Sequence, residues 1–206
     1  MKVITILSQK GGAGKTTLAL HLAVAAEQNG RQTAVIDLDP QASAASWGDS
    51  RTADTPAIVS AQASRLGQIL DAARSAGAAL AIIDTAPHSE SSALAAARAA
   101  DLILIPCRPA ILDLRAIGST IDLAKLAGKP AVVVLNMVPP RGSLAEDAAQ
   151  AVAGYGVKVA PVHLGNRAAF QHSLTAGLTA QEYEPSGKAA EETTQLYLWT
   201  REQVDM

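Results

Sequence analysis

Two patterns of apolar residues alternate along this chain: short runs of β-branched and aliphatic side chains, and longer stretches whose apolar positions fall three and four apart. The short runs predict strands over 2–8, 32–37, 56–60, 79–84, 101–106, 130–136 and, shorter, 157–161. They are apolar nearly throughout rather than alternating, as in strands buried on both faces of a parallel sheet, so most belong inside the sheet. The stretches between them predict helices over 15–29, 62–76, 90–99, 113–127 and 143–153, with Gly30, Gly77, Gly128 and Gly154 placed where a left-handed residue would stop the turn. Beyond residue 160 the rhythm changes. Helical stretches near 166–176 and 187–203 flank a loop from Gly177 to Gly187 that carries Pro185, and they are expected on the sheet's edge or at a partner surface. No repeat, linker or shift in composition divides the chain. The expectation is one α/β domain over 1–206, a mostly parallel central sheet with helices on both faces.

Composition narrows the functional classes. The 206 residues carry 17 Lys plus Arg against 19 Asp plus Glu, for a net charge of −2, and 49% are hydrophobic. That balance suits a compact domain and excludes a nucleic-acid module working by bulk positive charge, so any DNA contact needs a local patch. The single Cys107 excludes an intrachain disulfide framework and cysteine-only metal clusters, and fits a reducing cytoplasm. The first apolar run is too short for a signal peptide, and no stretch supplies the roughly 20 apolar residues of a membrane span, so the chain is expected to be neither exported nor membrane-spanning.

The candidate chemistry begins at Lys10-Gly11-Gly12-Ala13-Gly14-Lys15-Thr16-Thr17, between a strand and a helix. This is the context of a phosphate-binding loop: glycines turn backbone N–H groups inward, the helix N-terminus adds its dipole, Lys15 reaches phosphate oxygens and Thr16 can ligate Mg²⁺. The strict Gly-x4-Gly-Lys-Ser/Thr pattern is not met. Taken alone, a Gly-rich turn opening a structural helix is the competing reading. A second strand ends in Asp37-Leu38-Asp39-Pro40-Gln41, its carboxylates two apart, which alone could equally be a strand-ending turn. A third ends in Asp84-Thr85-Ala86-Pro87, with its acid where a Walker B aspartate meets Mg²⁺. All fall at carboxyl ends of strands, where open α/β sheets bind ligands. Asn136 closes a further strand, Arg141 nearby is left unassigned, and His88 is expected to be an exposed loop residue. His21, His163 and His172 lack companions at zinc-ligand spacing.

With its early lysine, the variant loop resembles that of the deviant-Walker ATPases, P-loop NTPases that include ParA-type partition proteins, MinD-type division-site regulators and the nitrogenase iron-protein group. The resemblance implies ATP and Mg²⁺ as cofactors and a homodimer with ATP sandwiched between subunits, in which Lys10 reaches the phosphates held by the other chain. Lys10 is otherwise an ordinary solvated lysine. It further implies Lys10, Lys15 and Asp39 as the catalytic set, with Asp39 orienting the attacking water and Gln41 supporting its loop. Gly11, Gly12, Ala13, Gly14, Lys15, Thr16 and Thr17 would cradle the nucleotide, and Thr16, Asp37 and Asp84 would serve the metal. Asn136 would read adenine or else simply cap its loop, and Thr85 to Pro87 would sense the γ-phosphate.

The run Arg167 to Ser173, with Gly177, Glu182, Pro185 and the segment from Lys188 to Glu192, resembles the end of many ParA-type chains. That points to slow, partner-stimulated hydrolysis of ATP to ADP and phosphate, nonspecific double-stranded DNA, a small ParB-type centromere-binding or adaptor protein, and a cytoplasmic, nucleoid-associated location. Plasmid or chromosome DNA, or another large cargo, would be segregated or positioned. Lys158, Arg167 and Lys188, with Arg201, are the candidate DNA contacts, although each alone reads as a surface cation. Two rivals stand beside this reading, a MinD-like membrane-associated positioning ATPase and a P-loop metabolic ligase or kinase. The balanced charge of the tail from Leu196 to Met206 favours docking of Leu196 and Trp199 on the protein's own core over membrane binding.

Overall fold

The apolar runs become the strands of one sheet: β1 (Lys2–Ile6), β2 (Thr33–Asp37), β3 (Ala57–Ser60), β4 (Leu80–Asp84), β5 (Leu102–Cys107), β6 (Ala131–Leu135) and β7 (Lys158–Val159). They are ordered β3-β2-β4-β1-β5-β6-β7, and every pairing is parallel. A computed structural model describes residues 1–87 and 89–206; His88, and with it the expectation of an exposed loop residue there, lies outside the described residues.

The strand period of two divides the core. On β1, β4, β5 and β6 the even-numbered side chains, such as Ile4, Ile6, Ile82, Leu104 and Val134, pack on one face with α1 (Lys15–Gln28), where Val35 of β2 joins them. Odd-numbered ones, among them Val3, Ile83, Ile105, Val133 and Leu135, meet the opposite layer. That layer holds α3 (Leu66–Ser75), α4 (Glu90–Ala99), α5 (Ile111–Ala127) and α6 (Leu144–Ala153). The edges follow from the same logic, since β3 is largely exposed and β7 keeps two residues of the predicted run.

The final third departs from expectation. α7 (Ala168–Thr175), α8 (Ala180–Tyr183) and α9 (Lys188–Gln203) do not extend the sheet's edge; α8 and α9 pack on the outer side of α1, and α7 packs on α8. This is why α1 is apolar on all sides: Leu18 to Ala26 are buried without a break. Leu196 and Tyr197 are buried in this layer, and Trp199 packs against it as expected. Two helices carried no usable sequence signal, α8 and α2 (Ser43–Asp49), both under three turns. Gly154 is a further correction, because it keeps a right-handed φ of −61° and the left-handed residue is Gly156, at φ 70°.

His21 fastens the outer layer to α1. Its Nδ1 lies 2.7 Å from the Thr17 carbonyl, and its Nε2 accepts the Ala180 N–H at 3.0 Å, which fixes a neutral ring protonated at Nδ1. The ring meets Phe170 edge-on with centroids 5.0 Å apart, and the Gln181 amide donates to the His21 carbonyl at 2.9 Å. Burial lowers the ring's pKa from its ordinary 6.5 to about 4, against the Thr17 hydrogen bond.

The unfolded chain therefore takes up this proton below pH 6.5 while the folded one resists until about pH 4. His21 thus contributes stability above pH 6.5 that is lost as pH falls toward 4. Urea unfolding of wild type and His21→Phe, compared across that window, should show the wild-type advantage shrinking by roughly 3 kcal/mol. Parallel curves would assign the ring no part in the pH dependence.

Candidate active site

The carboxyl ends of β1, β2, β4 and β6 deliver their loops to one pole of the sheet. The chain leaves β1, passes through the glycine-rich loop and enters α1 at Lys15. Gly14 has φ 89°, and a Cβ there would lie 2.3 Å from Asn136 Nδ2, so this position excludes a side chain twice over. Asn136, buried just past β6, donates from Nδ2 to the Ala13 carbonyl at 2.9 Å and accepts the Met137 N–H at Oδ1, also at 2.9 Å. Its carboxamide clamps the loop in this structure, so adenine reading would fall to its second amide hydrogen and second lone pair. Arg108, the first residue past β5, donates to the Gly12 carbonyl from the other side.

Two lysines answer the carboxylates. Lys15 is buried and donates to the Lys10 carbonyl at 3.3 Å; burial lowers its pKa while Asp84 and Asp39 pull it back up. Lys10 stands on the rim, its ammonium 3.0 Å from Asp113 near the start of α5. The Thr16 hydroxyl donates to Asp84 Oδ2 at 2.6 Å, whereas the buried Asp84 Oδ1 has no partner among the described residues. Burial raises the Asp84 carboxyl to about 7; the Thr16 bond opposes that and Asp37 adds to it.

Asp37 and Asp84 are register partners on neighbouring strands. Asp37 is nevertheless satisfied, with Oδ1 accepting the Asp39 N–H at 3.0 Å and Oδ2 accepting those of Ala44 (3.0 Å) and Ala45 (3.2 Å). The first turn of α2 has Ala42 at its cap position, with φ 50° and no capping side chain, so Asp37 caps it from the strand end. Asp39 folds its own turn, accepting the Gln41 N–H at 2.9 Å. It also lines an open cleft of about 880 Å³ shared with Leu38, Gln41, Arg65, Ala86 and Ser92. Thr85 donates to the Ile6 carbonyl at 2.9 Å and ties the segment after β4 to β1.

Mg²⁺ fits this donor set. Asp84 offers a desolvated carboxylate with an unused oxygen beside the Thr16 hydroxyl. Among the described residues no three of His, Cys, Asp and Glu converge on a metal position. A hard divalent ion here would rest on one or two carboxylates, the hydroxyl, water and phosphate oxygens, which is how Mg²⁺ is usually held.

The structure thus gathers Lys10, Gly11 to Thr17, Asp37, Asp39, Asp84 and Asn136 at one pole. The candidate DNA contacts lie elsewhere. Lys158 is exposed on β7 and Lys188 is exposed at the start of α9. Arg167 is committed to Glu192, its Nε 2.9 Å from an Oε2 that also accepts the Gly165 N–H at 3.0 Å. Its charge is neutralised within the fold. Arg108 and Asp113 were missed from sequence, although both follow β5 and the rule that ligands gather past strand ends would have nominated them.

Three comparisons bear on the site. The CobQ/CobB/MinD/ParA nucleotide binding domain matches residues 4–180. A curated relative from Gloeobacter kilaueensis, maintenance of carboxysome distribution protein A, is 32% identical, covering 99% of this chain and 94% of its own. Among solved structures, the cell division ATPase MinD of Pyrococcus furiosus superposes with a TM-score of 0.78 at 20% identity, covering 98% of both chains. An ATP complex of McdA from Cyanothece gives 0.75 at 16% identity over 100% of this chain and 97% of its own.

Gly14→Ala should abolish measurable nucleotide binding by fluorescence titration while the melting temperature stays within a few degrees of wild type. Binding at wild-type affinity would show that neither the left-handed turn nor the Asn136 clamp matters to the loop.

Proposed function

The chain belongs to the CobQ/CobB/MinD/ParA nucleotide-binding family, and from that premise we propose that it is a positioning ATPase that dimerises around ATP, grips nonspecific double-stranded DNA and lets go after hydrolysis to ADP and phosphate. The observation that carries the reading is the convergence at one pole of the Lys10 to Thr17 loop with Asp39 and Asp84. Lys15 and the loop amides would bind the phosphates, and Asp39, which faces the open cleft, would hold a water in line with the terminal phosphate. Mg²⁺, held by Thr16 and Asp84 with Asp37 in its water shell, would neutralise charge on the phosphates. Lys10, on the rim, would reach the triphosphate of a second copy, so that dimerisation reports the γ-phosphate ADP lacks. Turnover by such modest machinery would be slow and open to stimulation by a partner protein.

The relative named for carboxysome distribution supports a protein assembly as cargo, beside plasmid or chromosome DNA. The membrane reading finds less support, because Leu196 and Tyr197 of α9 are buried in the core rather than available to lipid. Among the described residues no helix is long and apolar enough to cross a membrane.

Sedimentation with random-sequence duplex DNA, and in parallel with anionic liposomes, tests the reading. Wild type should bind DNA with ATP but not ADP, the affinity should fall steeply with salt, and the liposomes should sediment without it. Lys15→Ala should lose nucleotide, whereas Asp39→Ala should bind ATP and DNA yet hydrolyse at least about tenfold more slowly. Because Arg167 is neutralised, Lys158→Glu with Lys188→Glu is the informative pair, expected to weaken DNA binding about tenfold. Liposome binding alone, or nucleotide-independent DNA binding, would contradict the proposal.

A further inference from the structure

The segment after β5 braces the phosphate loop at three points. Arg108 holds the Gly12 carbonyl, the Thr120 hydroxyl accepts the Gln9 N–H at 3.2 Å, and Asp113 pairs with Lys10 at 3.0 Å. The first two contacts hold backbone. The third holds the side chain that the ATP-sandwich reading needs free.

We propose that Asp113 is a positioning residue for Lys10: before a second copy arrives, it parks the lysine in an ion pair within its own chain, and closure of the dimer around ATP requires that pair to open. The inference rests on the sandwich reading above and adds the regulation of that same site. The two partners are unequal. The Asp113 side chain is 11% exposed and lies in the first turn of α5, where the helix N-terminus favours a carboxylate. The Lys10 side chain is 37% exposed, so the anion is fixed and the cation is free to swing. Leaving Asp113 for a phosphate exchanges one anionic partner for another, and the fraction of molecules with Lys10 released scales the apparent dimer affinity. The same turn presents Ile111 and Leu112 to solvent, 61% and 67% exposed, beside the lysine. A second copy seated over Lys10 would cover both, so release of the lysine and burial of apolar surface would occur together.

Sedimentation velocity of the full chain with Mg²⁺ and a non-hydrolysable ATP analogue, across protein concentration, tests this with four proteins: wild type, Asp113→Asn, Asp113→Glu and Lys10→Ala. Asp113→Asn should dimerise at about tenfold lower concentration than wild type, as expected if about one molecule in three has its lysine free, since both chains of the sandwich must release theirs. Asp113→Glu, which keeps the charge, should return toward wild type, a rescue that a merely structural role would not produce. If the Asn variant melts well below wild type, Asp113→Ser takes its place with the same expectation. A midpoint equal to wild type, or higher, overturns the latch, and with Lys10→Ala still monomeric the sandwich reading stands without it. Wild type that stays monomeric, or Lys10→Ala that dimerises like wild type, overturns the sandwich reading itself.

Discussion

At the end of β4, Asp84 keeps a carboxylate in a place nearly closed to water, with one oxygen held by Thr16 and the other unpaired among the described residues. A buried carboxylate in that condition favours its neutral form unless positive charge is brought to it, and its pKa of about 7 expresses that demand. The surrounding structure answers it. Parallel strands bring every loop of that pole together, α1 begins one residue before Thr16, and Lys15 gives up part of its own solvation to stand near. Two carboxylates in register on β2 and β4 would repel, and the pair is tolerated because Asp37 spends its charge on three backbone amides.

That arrangement depends on α1 staying where it is, and the C-terminal third holds it there. Asp37 caps α2, and the segment leaving α2 is bound to α8: Arg51 makes a two-pronged pair with Glu182 at 2.8 and 3.0 Å, lies over Trp47 at 4.4 Å, and Trp47 donates to the Leu178 carbonyl at 3.3 Å. Glu182 also accepts the Thr179 N–H at 2.7 Å, which sets the first turn of α8. α8 in turn grips α1 through His21 and Gln181. The loop after β2 and the phosphate-loop helix are therefore joined by a closed ring of contacts running through the far end of the chain.

Local chemistry made much of this legible in the sequence. A lysine- and glycine-rich turn between strand and helix, and acids at the ends of apolar runs, need no distant residue to be recognised, and all converge at one pole. What stayed hidden was non-local or short. Arg51 and Glu182 are 131 residues apart in sequence, and nothing in either neighbourhood marks the other. α2 escaped because its capping group comes from Asp37 on another element, and α8 because it is a single turn. Of the candidate DNA contacts, Arg167 is paired with Glu192, 25 residues away, and nothing in its own neighbourhood of the sequence marks that partner.

Hydrogen exchange measured by mass spectrometry, with and without ATP and Mg²⁺, tests most directly whether this pole is the nucleotide site. ATP should slow exchange in peptides spanning 10–17, 37–45 and 84–87, the last two reporting the loops whose amides and carboxylates surround Asp84. Exchange unchanged there would contradict the account, as would protection confined to the opposite end of the sheet, around the cleft lined by Lys125, Lys129 and Lys158.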